Sequence, residues 1–202
     1  ALGLASLLGS RILDEETRDH FAHQGRIGEW SRLGNEFLGT GIPGAILGGA
    51  FWIYGDTKGK PLATHAGQAQ LESLLATTVL VSAMKQVTAR QRPNGDPGAL
   101  PSAHVAHVFA TGAVLNEFYG WKAGAPVYAL GVLTAVGRMQ DDRHWLSDTV
   151  GGAAVAIFIG RAFARSHLKQ HETAQSEPTE SSVRVQPLLG PGSLGVALHW
   201  EF

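Results

Sequence analysis

The feature that most constrains this fold is a long run of apolar and small residues without a charge. From Phe37 to Gly55 the chain has 19 uncharged residues in succession, and six of them are Gly. Over the whole chain charged residues make up 16%, whereas an ordinary soluble domain has about 25%. Small residues, with Gly alone at 26, fill the difference. We therefore expect a tightly packed helical protein that lies near a membrane.

The same run has two interpretations. Its length is close to the ~20 apolar residues that a membrane-spanning helix needs. Its glycines and Pro43 make it only weakly apolar, however, and such residues are costly in an exposed helix. We favour a buried core helix that is kinked near Pro43.

The rest of the body also predicts helices. Leu13–His23 is charged and amphipathic, which is typical of a short surface helix. A longer helix ends before Pro93, because the residue before a proline is disfavoured in the α region. No segment of the body alternates as a strand would. The predicted fold class is all-α, a compact bundle of about six helices that includes His65–Gln91, Ser102–Tyr119, Ala125–Met139 and a helix from about His144 to Leu168.

The C-terminal part has a different pattern. Residues 170–182 are polar, as in a linker. Within residues 183–202, Val183–Gln186 and Val196–Phe202 alternate with period two around a Gly-Pro-Gly turn, which predicts a β-hairpin. Two strands alone are marginal in water, so we expect the hairpin to pack on the bundle, on a partner or on a membrane. The predicted domains are a helical body at 1–169, a linker at 170–182 and a hairpin at 183–202.

The opening residues bear on processing. The chain begins with Ala1 and has no basic region near it, which suits either a mature form without its signal peptide or a shortened sequence.

Charge and cysteine content exclude several function classes. Sixteen Lys and Arg against seventeen Asp and Glu leave a net charge of -1, so no overall basic field would attract nucleic acid, and any anion must be bound locally. The absence of Cys excludes Cys-ligated zinc, iron-sulfur clusters and a thiol nucleophile. His104 and His107 lie three apart, but no carboxylate follows at a matching spacing, so we predict no metal site.

The first polar cluster is a pair of cations. Lys85 and Arg92 are seven residues apart, which is two helical turns, so both side chains are expected on one face of the helix that stops at Pro93. A solvated basic face is the alternative for this pair taken alone.

The second cluster begins the next helix. Ser102 there offers a hydroxyl, and the free backbone N–H groups of a first helical turn favour anions. His104 lies on the same turn. Taken alone, the pattern also fits a helix N-cap followed by an incidental histidine.

The third cluster pairs a histidine with an acid. His144 and Asp148 are four apart on one predicted helix, so the carboxylate can bind one imidazole nitrogen and leave the other as a nucleophilic lone pair. Arg138 lies six positions before His144, the wrong angle for one continuous helix, so a turn at Asp141 and Asp142 must bring them together. A capping Asp beside a surface His is the alternative.

Together the clusters resemble the three sequence motifs of the type 2 phosphatidic acid phosphatase superfamily, also called the vanadium haloperoxidase and acid phosphatase fold. Nine of eleven fixed positions match over a resemblance that spans about residues 30 to 165. Ala103 replaces a glycine and Gly137 a serine. The matches are Lys85, Arg92 and Pro93 in K-x6-R-P; Pro101, Ser102 and His104 in P-S-G-H; and Arg138, His144 and Asp148 in S-R-x5-H-x3-D.

The resemblance implies a role for each site residue. His144, oriented by Asp148, would attack phosphorus and form a phosphohistidine. His104 would protonate the leaving group and then activate water. No metal or other cofactor is implied, and phosphate or vanadate is the expected site ligand. The phosphate oxygens would be bound by Lys85, Arg92, Arg138, Ser102 and the N–H of Ala103.

The resemblance also implies a function. We expect a metal-independent phosphatase for phosphate monoesters or diphosphates, foremost those of lipids, in the bacterial periplasm or at the periplasmic face of a membrane. Apolar helices or the C-terminal hairpin would contact the membrane surface. A soluble periplasmic acid phosphatase of broad specificity is the alternative, followed by a non-enzymatic phosphate-binding relative in which Ala103 marks the loss of activity. Haloperoxidase activity is not expected, since those relatives are far larger. The residues leave the oligomeric state open.

Overall fold

Helices follow one another along the chain with short connections. The structure is a computed structural model that describes residues 10–23 and 37–176, together with the backbone of two strands at 183–190 and 193–200. Its predicted all-α class is confirmed for the body of the chain. The helices are α1 Asp14–His23, α2 Ile42–Lys58, α3 Pro61–Thr88, α4 Ala103–Tyr119, α5 Trp121–Gln140 and α6 Leu146–Ser176, with a 3₁₀ turn at Leu38–Thr40.

Small residues set the distance between the helices. α2 packs against α3, α3 against α4, and α4 against α5. A Cβ at Gly67 of α3 would stand 2.4 Å from the backbone nitrogen of Trp52, so these two helices touch along their backbones. One core cluster combines α3, α4 and α6 through Leu74, Ala110 and Ala156. The many small residues of the sequence therefore serve close helix contacts.

The end of α3 corrects one prediction. The helix stops at Thr88, where Ala89 takes a left-handed conformation with φ 43°. Beyond it the chain pairs with its own loop: the Ala99 N–H donates to the Arg90 carbonyl at 2.9 Å. Lys85 and Arg92 therefore do not share a helix face, because these loop hydrogen bonds replace the last predicted turn.

Two helix starts also differ from the prediction. Pro43 lies in the first turn of α2, where its missing N–H costs nothing, so it does not kink the helix interior. His144 precedes α6, whose first helical residue is Leu146. The pair of His144 and Asp148 is therefore not a helical i, i+4 pair. Asp148 belongs to the first turn, and its carboxylate accepts the N–H of Trp145 at 2.8 Å, as an acidic cap does.

The chain divides into two units, Ala1–Leu168 and Lys169–Phe202. In the second unit α6 continues through residues 170–176, which the sequence predicts as part of a linker. The backbone of Val183–Gly190 then pairs antiparallel with Ser193–Trp200. Because an isolated pair of strands is only marginally stable, a stable hairpin appendage and the exact domain limits stay predictions.

Candidate active site

The main chain joins the second and third polar clusters at one end of the helices. The Ser102 N–H, just before α4, donates to the carbonyl oxygen of Asp148 in α6 at 2.9 Å. The turn after α5 brings Arg138 back, since the His144 N–H lies 3.3 Å from the Arg138 carbonyl oxygen. Asp142 makes this turn with a φ of 51°. The fold therefore brings the second and third motifs into direct contact.

Three cations of the predicted site lie close enough to affect one another. Burial, together with the charges of Arg92 and Arg138, lowers the pKa of Lys85 to about 8, against the opposing effect of Asp148. Burial and the charge of Arg92 likewise lower the pKa of Arg138 to about 10. The ammonium of Lys85 donates a hydrogen bond to the carbonyl of Gly98. Such a concentration of positive charge is unfavourable unless an anion binds there.

Several buried polar atoms of the site lack a hydrogen-bond partner among the described residues. Buried polar groups are nearly always paired, so each exception asks for a ligand or a function. The atoms are Arg92 Nε, Arg138 Nε, Ser102 Oγ and His144 Nδ1. A tetrahedral oxyanion presents enough acceptors for the first three, which are donors, while His144 faces Asp148.

His144 lies deep in the fold and faces an acid. The residue is 3% exposed, and its Nδ1 stands 3.6 Å from Oδ2 of Asp148, slightly beyond a normal hydrogen bond. Burial is the main cause that lowers the pKa of His144 to about 4; Asp148 opposes the change, and the cations Arg138 and Lys85 add to it. At neutral pH the ring is therefore uncharged and can act as a nucleophile. The alternative of a surface histidine is wrong.

His104 lies on the first turn of α4 and is partly buried. Burial first, and then the charges of Arg138, His144 and Lys85, lower its pKa to about 4. Gly39 of the 3₁₀ turn packs closely against the His104 side chain, since a Cβ on Gly39 would stand 2.6 Å from it. The sequence does not single out Gly39, although it lies in the Gly-rich run.

His107 has a structural role. Its Nδ1 lies 3.1 Å from the Gly39 carbonyl oxygen, and its Nε2 lies 3.0 Å from Oγ1 of Thr78. Both ring nitrogens are therefore engaged, which leaves no lone pair for a metal shared with His104. In the described ranges 10–23 and 37–176, no three His, Asp or Glu residues form a group that could hold a metal ion. A metal-free reaction remains a prediction.

Ser102 and Ala103 form the start of α4. Ser102 is the N-cap in extended conformation, but its hydroxyl makes no capping hydrogen bond. Ala103 is the first helical residue, and it is not among the residues with positive φ. Its backbone therefore has no need of glycine. The Ser102 hydroxyl has no hydrogen-bond partner among the described residues, and anion binding by this turn stays a prediction.

Sequence reasoning missed two charged residues beside the site. Arg90 donates to Oδ1 of Asp148 at 2.8 Å, and it also binds Asp14 of α1 at 2.6 Å. The signal for Arg90 is its position two residues before Arg92 in the first motif. Asp14 carries no local signal, because its partners lie far along the chain.

A comparison of the chain with known families supports the sequence motifs. The model of the PAP2 superfamily matches residues 68–172, a range that contains all three motifs. The chain belongs to the PAP2 superfamily. No solved structure is significantly similar to it.

Two curated relatives are similar over parts of this PAP2 chain. Lipid A 1-phosphatase of Porphyromonas gingivalis is 36% identical over 86 residues, which cover 40% of this chain and 19% of that protein. Undecaprenyl-diphosphatase BcrC of Bacillus subtilis is 28% identical over 123 residues, which cover 57% of this chain and 63% of that protein. The chain thus spans less than two thirds of the length of either relative.

Proposed function

We propose that this PAP2 chain is a phosphoric ester hydrolase that removes phosphate from a lipid phosphate or diphosphate through a phosphohistidine on His144. One observation carries the proposal. Buried donors of Arg92, Arg138 and Ser102 that have no partner among the described residues lie in the same site as a buried neutral histidine that faces a carboxylate. This combination suits a site for a phosphoryl group beside a nucleophile.

Binding of the phosphate comes first. Lys85, Arg92 and Arg138 would neutralise the non-bridging oxygens, helped by Ser102 Oγ and the Ala103 N–H. Phosphoryl transfer depends on stabilising charge on these oxygens, and three fixed cations can supply that stabilisation.

Attack by His144 follows. Its Nε2 lone pair would form a bond to phosphorus as the bond from phosphorus to the leaving oxygen breaks. Asp148 would accept a hydrogen bond from Nδ1–H and stabilise the positive charge that develops on the ring. His104, which would take up a proton when the bound phosphate offsets the neighbouring cations, would give that proton to the leaving oxygen, which departs as an alcohol or as a phosphate.

Hydrolysis of the intermediate completes the cycle. His104, now neutral, would take a proton from water as the water oxygen attacks phosphorus, and the bond from phosphorus to Nε2 would break. Inorganic phosphate leaves, and both histidines return to their starting state. A positioned acid and base of this kind contributes about 10²- to 10⁴-fold in rate.

Exposed apolar side chains support a lipid as the source of the phosphate. Val87 is 86% exposed, Phe158 75% and Trp121 70%, and contact with a lipid would cover such side chains. α6 is long and apolar enough to cross a membrane, and 44% of its most apolar 18-residue stretch is buried in the protein. Core helices of soluble proteins can have the same length and composition. Both relatives are named for lipid substrates. We propose, from the family resemblance, that the protein acts at the periplasmic face of a membrane.

A panel of substrates tests the proposal. Phosphate release is measured from p-nitrophenyl phosphate, phosphatidic acid, phosphatidylglycerol phosphate and undecaprenyl diphosphate, with and without detergent. We expect turnover without added metal, preference for the lipids, and inhibition by vanadate. A preference for p-nitrophenyl phosphate without detergent would indicate the soluble phosphatase instead.

Two variants separate chemistry from folding. His144→Ala should abolish turnover and the acid-labile phosphoenzyme seen on rapid quench, with its helical circular dichroism unchanged. His20→Ala, a substitution on the exposed face of α1, is the matched control and should retain activity. Wild-type turnover by His144→Ala would refute the assignment.

A further inference from the structure

Asp148 is held at both oxygens of its carboxylate. Oδ1 accepts a hydrogen bond from Nη1 of Arg90 at 2.8 Å. Oδ2 accepts the N–H of Trp145 at 2.8 Å and is also the oxygen that faces His144. The side chain of Asp148 is fully buried, so these partners decide where the carboxylate points.

Arg90 is itself fixed by a second carboxylate. Its Nη2 donates to Oδ2 of Asp14 at 2.6 Å, and its Nη1 donates to Oγ of Ser147 at 2.6 Å. Asp14 also receives the N–H of Ser147 at 2.8 Å and the hydroxyl of Ser147 at 2.7 Å. The guanidinium thus bridges α1 and the first turn of α6 through bonds to both sides.

The surroundings keep this bridge away from solvent. The side chains of Arg90 and Asp14 are 16% and 7% exposed. The ring of Trp145 covers Arg90, whose guanidinium carbon lies 5.6 Å from the ring centroid, and the indole N–H is tied to the Gln91 carbonyl at 2.9 Å. Hydrogen bonds between charged groups are stronger in such a site than in water.

The formal charges of Asp14, Arg90 and Asp148 determine how this bridge acts on His144. Two carboxylates share one guanidinium, so the group of Asp14, Arg90 and Asp148 keeps one negative charge in excess. Only Asp148 of the two carboxylates faces the imidazole. A ring whose Nδ1 faces this carboxylate is stabilised with its proton on Nδ1 and its lone pair on Nε2.

We propose that Arg90 and Asp14 are positioning residues of the PAP2 site, which act through Asp148 to fix the orientation and the tautomer of His144. The inference rests on the proposed function for its effect on catalysis. A bridge that only attached α1 to the body would affect stability but would leave the tautomer of a folded protein unchanged.

Three variants of the full chain test this role. Arg90→Met removes the donors but keeps the length of the side chain. Arg90→Lys keeps the charge but has one nitrogen in place of Nη1 and Nη2, the two that bind Asp148 and Asp14. Asp14→Asn keeps an oxygen that can accept the Ser147 N–H but removes the charge. Arg161→Met is the matched control, because Arg161 lies on another part of α6, has a side chain that is 48% exposed, and pairs with Glu117 of α4 at 2.7 Å.

Kinetics give the first readout. Misplacing a reacting group by about 1 Å can cost ~10²-fold in rate, so we expect kcat of Arg90→Met to fall about 10- to 100-fold. KM should change less than about threefold, since the phosphate-binding cations remain. Arg90→Lys should have a higher kcat than Arg90→Met. The kcat of Asp14→Asn should lie between those of Arg90→Met and the wild type, and the kcat of Arg161→Met should match the wild type. A kcat of Arg90→Met and Asp14→Asn within twofold of the wild type would overturn the proposal.

Nitrogen-15 spectra of the histidine rings give a readout that needs no turnover, with His144 assigned by its loss in His144→Ala. At pH 7 the wild type should show His144 protonated on Nδ1, whereas Arg90→Met and Asp14→Asn should show a mixture of tautomers. An unchanged tautomer in folded variants would refute positioning even if kcat fell. If the wild type hydrolysed no phosphate ester but the tautomer still changed, the proposed function would fail while the positioning role stood. Should Arg90→Met fail to fold, Arg90→Lys and Asp14→Asn decide the matter.

Discussion

Gly152 of α6 lies directly against the backbone of Ser102, so that a Cβ on Gly152 would stand 2.5 Å from the Ser102 carbonyl oxygen. Ser102 donates its N–H to the Asp148 carbonyl one turn earlier on α6. The absence of one side chain thus allows the first turn of α4, which we propose binds the phosphate, to reach the helix that carries Asp148.

We therefore expect Gly152→Ala to impair both stability and activity. An added methyl group in a tight contact costs about 1–3 kcal/mol, and a shift of the binding turn should lower kcat/KM about 10- to 100-fold. Gly49→Ala on α2 is the control, because a Cβ there meets nothing within 4 Å. That substitution should stabilise the helix by about 0.5–1 kcal/mol and leave activity unchanged. Urea unfolding and steady-state kinetics measure both effects, and equal behaviour of the two variants would contradict the close contact.

Lys85 should set the alkaline limit of activity. Because burial and neighbouring cations lower its pKa to about 8, Lys85 is a cation below pH 8 and loses its charge as the pH rises through that value. The profile of kcat/KM for p-nitrophenyl phosphate reports the free enzyme, so it should fall above about pH 8 as phosphate binding weakens.

In Lys85→Arg the fall should move upward by more than about one pH unit, since a guanidinium keeps its proton. Lys122→Arg, at an exposed position at the start of α5, should leave the profile unchanged. An alkaline limb that stays in place in Lys85→Arg would assign it to another group.

The chemistry of this site could be predicted further from the sequence than its geometry. Each motif consists of residues a short distance apart in the chain, so the residues of the candidate site could be predicted from the sequence. The end of α3 could not be predicted in this way. The helix ends at Thr88 because the residues after it form hydrogen bonds with a later part of the loop, as between the Arg90 carbonyl and the Ala99 N–H. Asp14 was inaccessible for the same reason: it binds Ser147, which is 133 positions away. Pairings over such distances depend on the packed fold and leave no local pattern.

Ala103 should not limit activity. It occupies the first position of α4 without a positive φ, and only its N–H is assigned to the phosphate. Restoring the family residue in Ala103→Gly should keep kcat/KM within about twofold and lower stability by less than about 1 kcal/mol, because glycine disfavours the helix. A tenfold gain in kcat/KM would show instead that the methyl group obstructs the substrate.

His104 should gain a proton when an oxyanion binds. Its pKa of about 4 results from burial and from the charges of Arg138, His144 and Lys85, so the free enzyme holds it neutral at pH 6. A bound anion offsets these cations and raises the pKa, which creates the acid that the leaving group needs only when substrate is present.

Calorimetry of vanadate binding at pH 6 in buffers of different ionisation enthalpy measures this uptake. The wild type should take up more protons than His104→Asn, by up to about one per site, because only the wild type has the His104 ring to protonate. Protonation of vanadate itself is common to both proteins and cancels in the difference. His20→Asn, on the exposed face of α1, should behave as the wild type. Equal uptake by the wild type and His104→Asn, with vanadate bound in both, would mean that another group supplies the proton to the leaving oxygen.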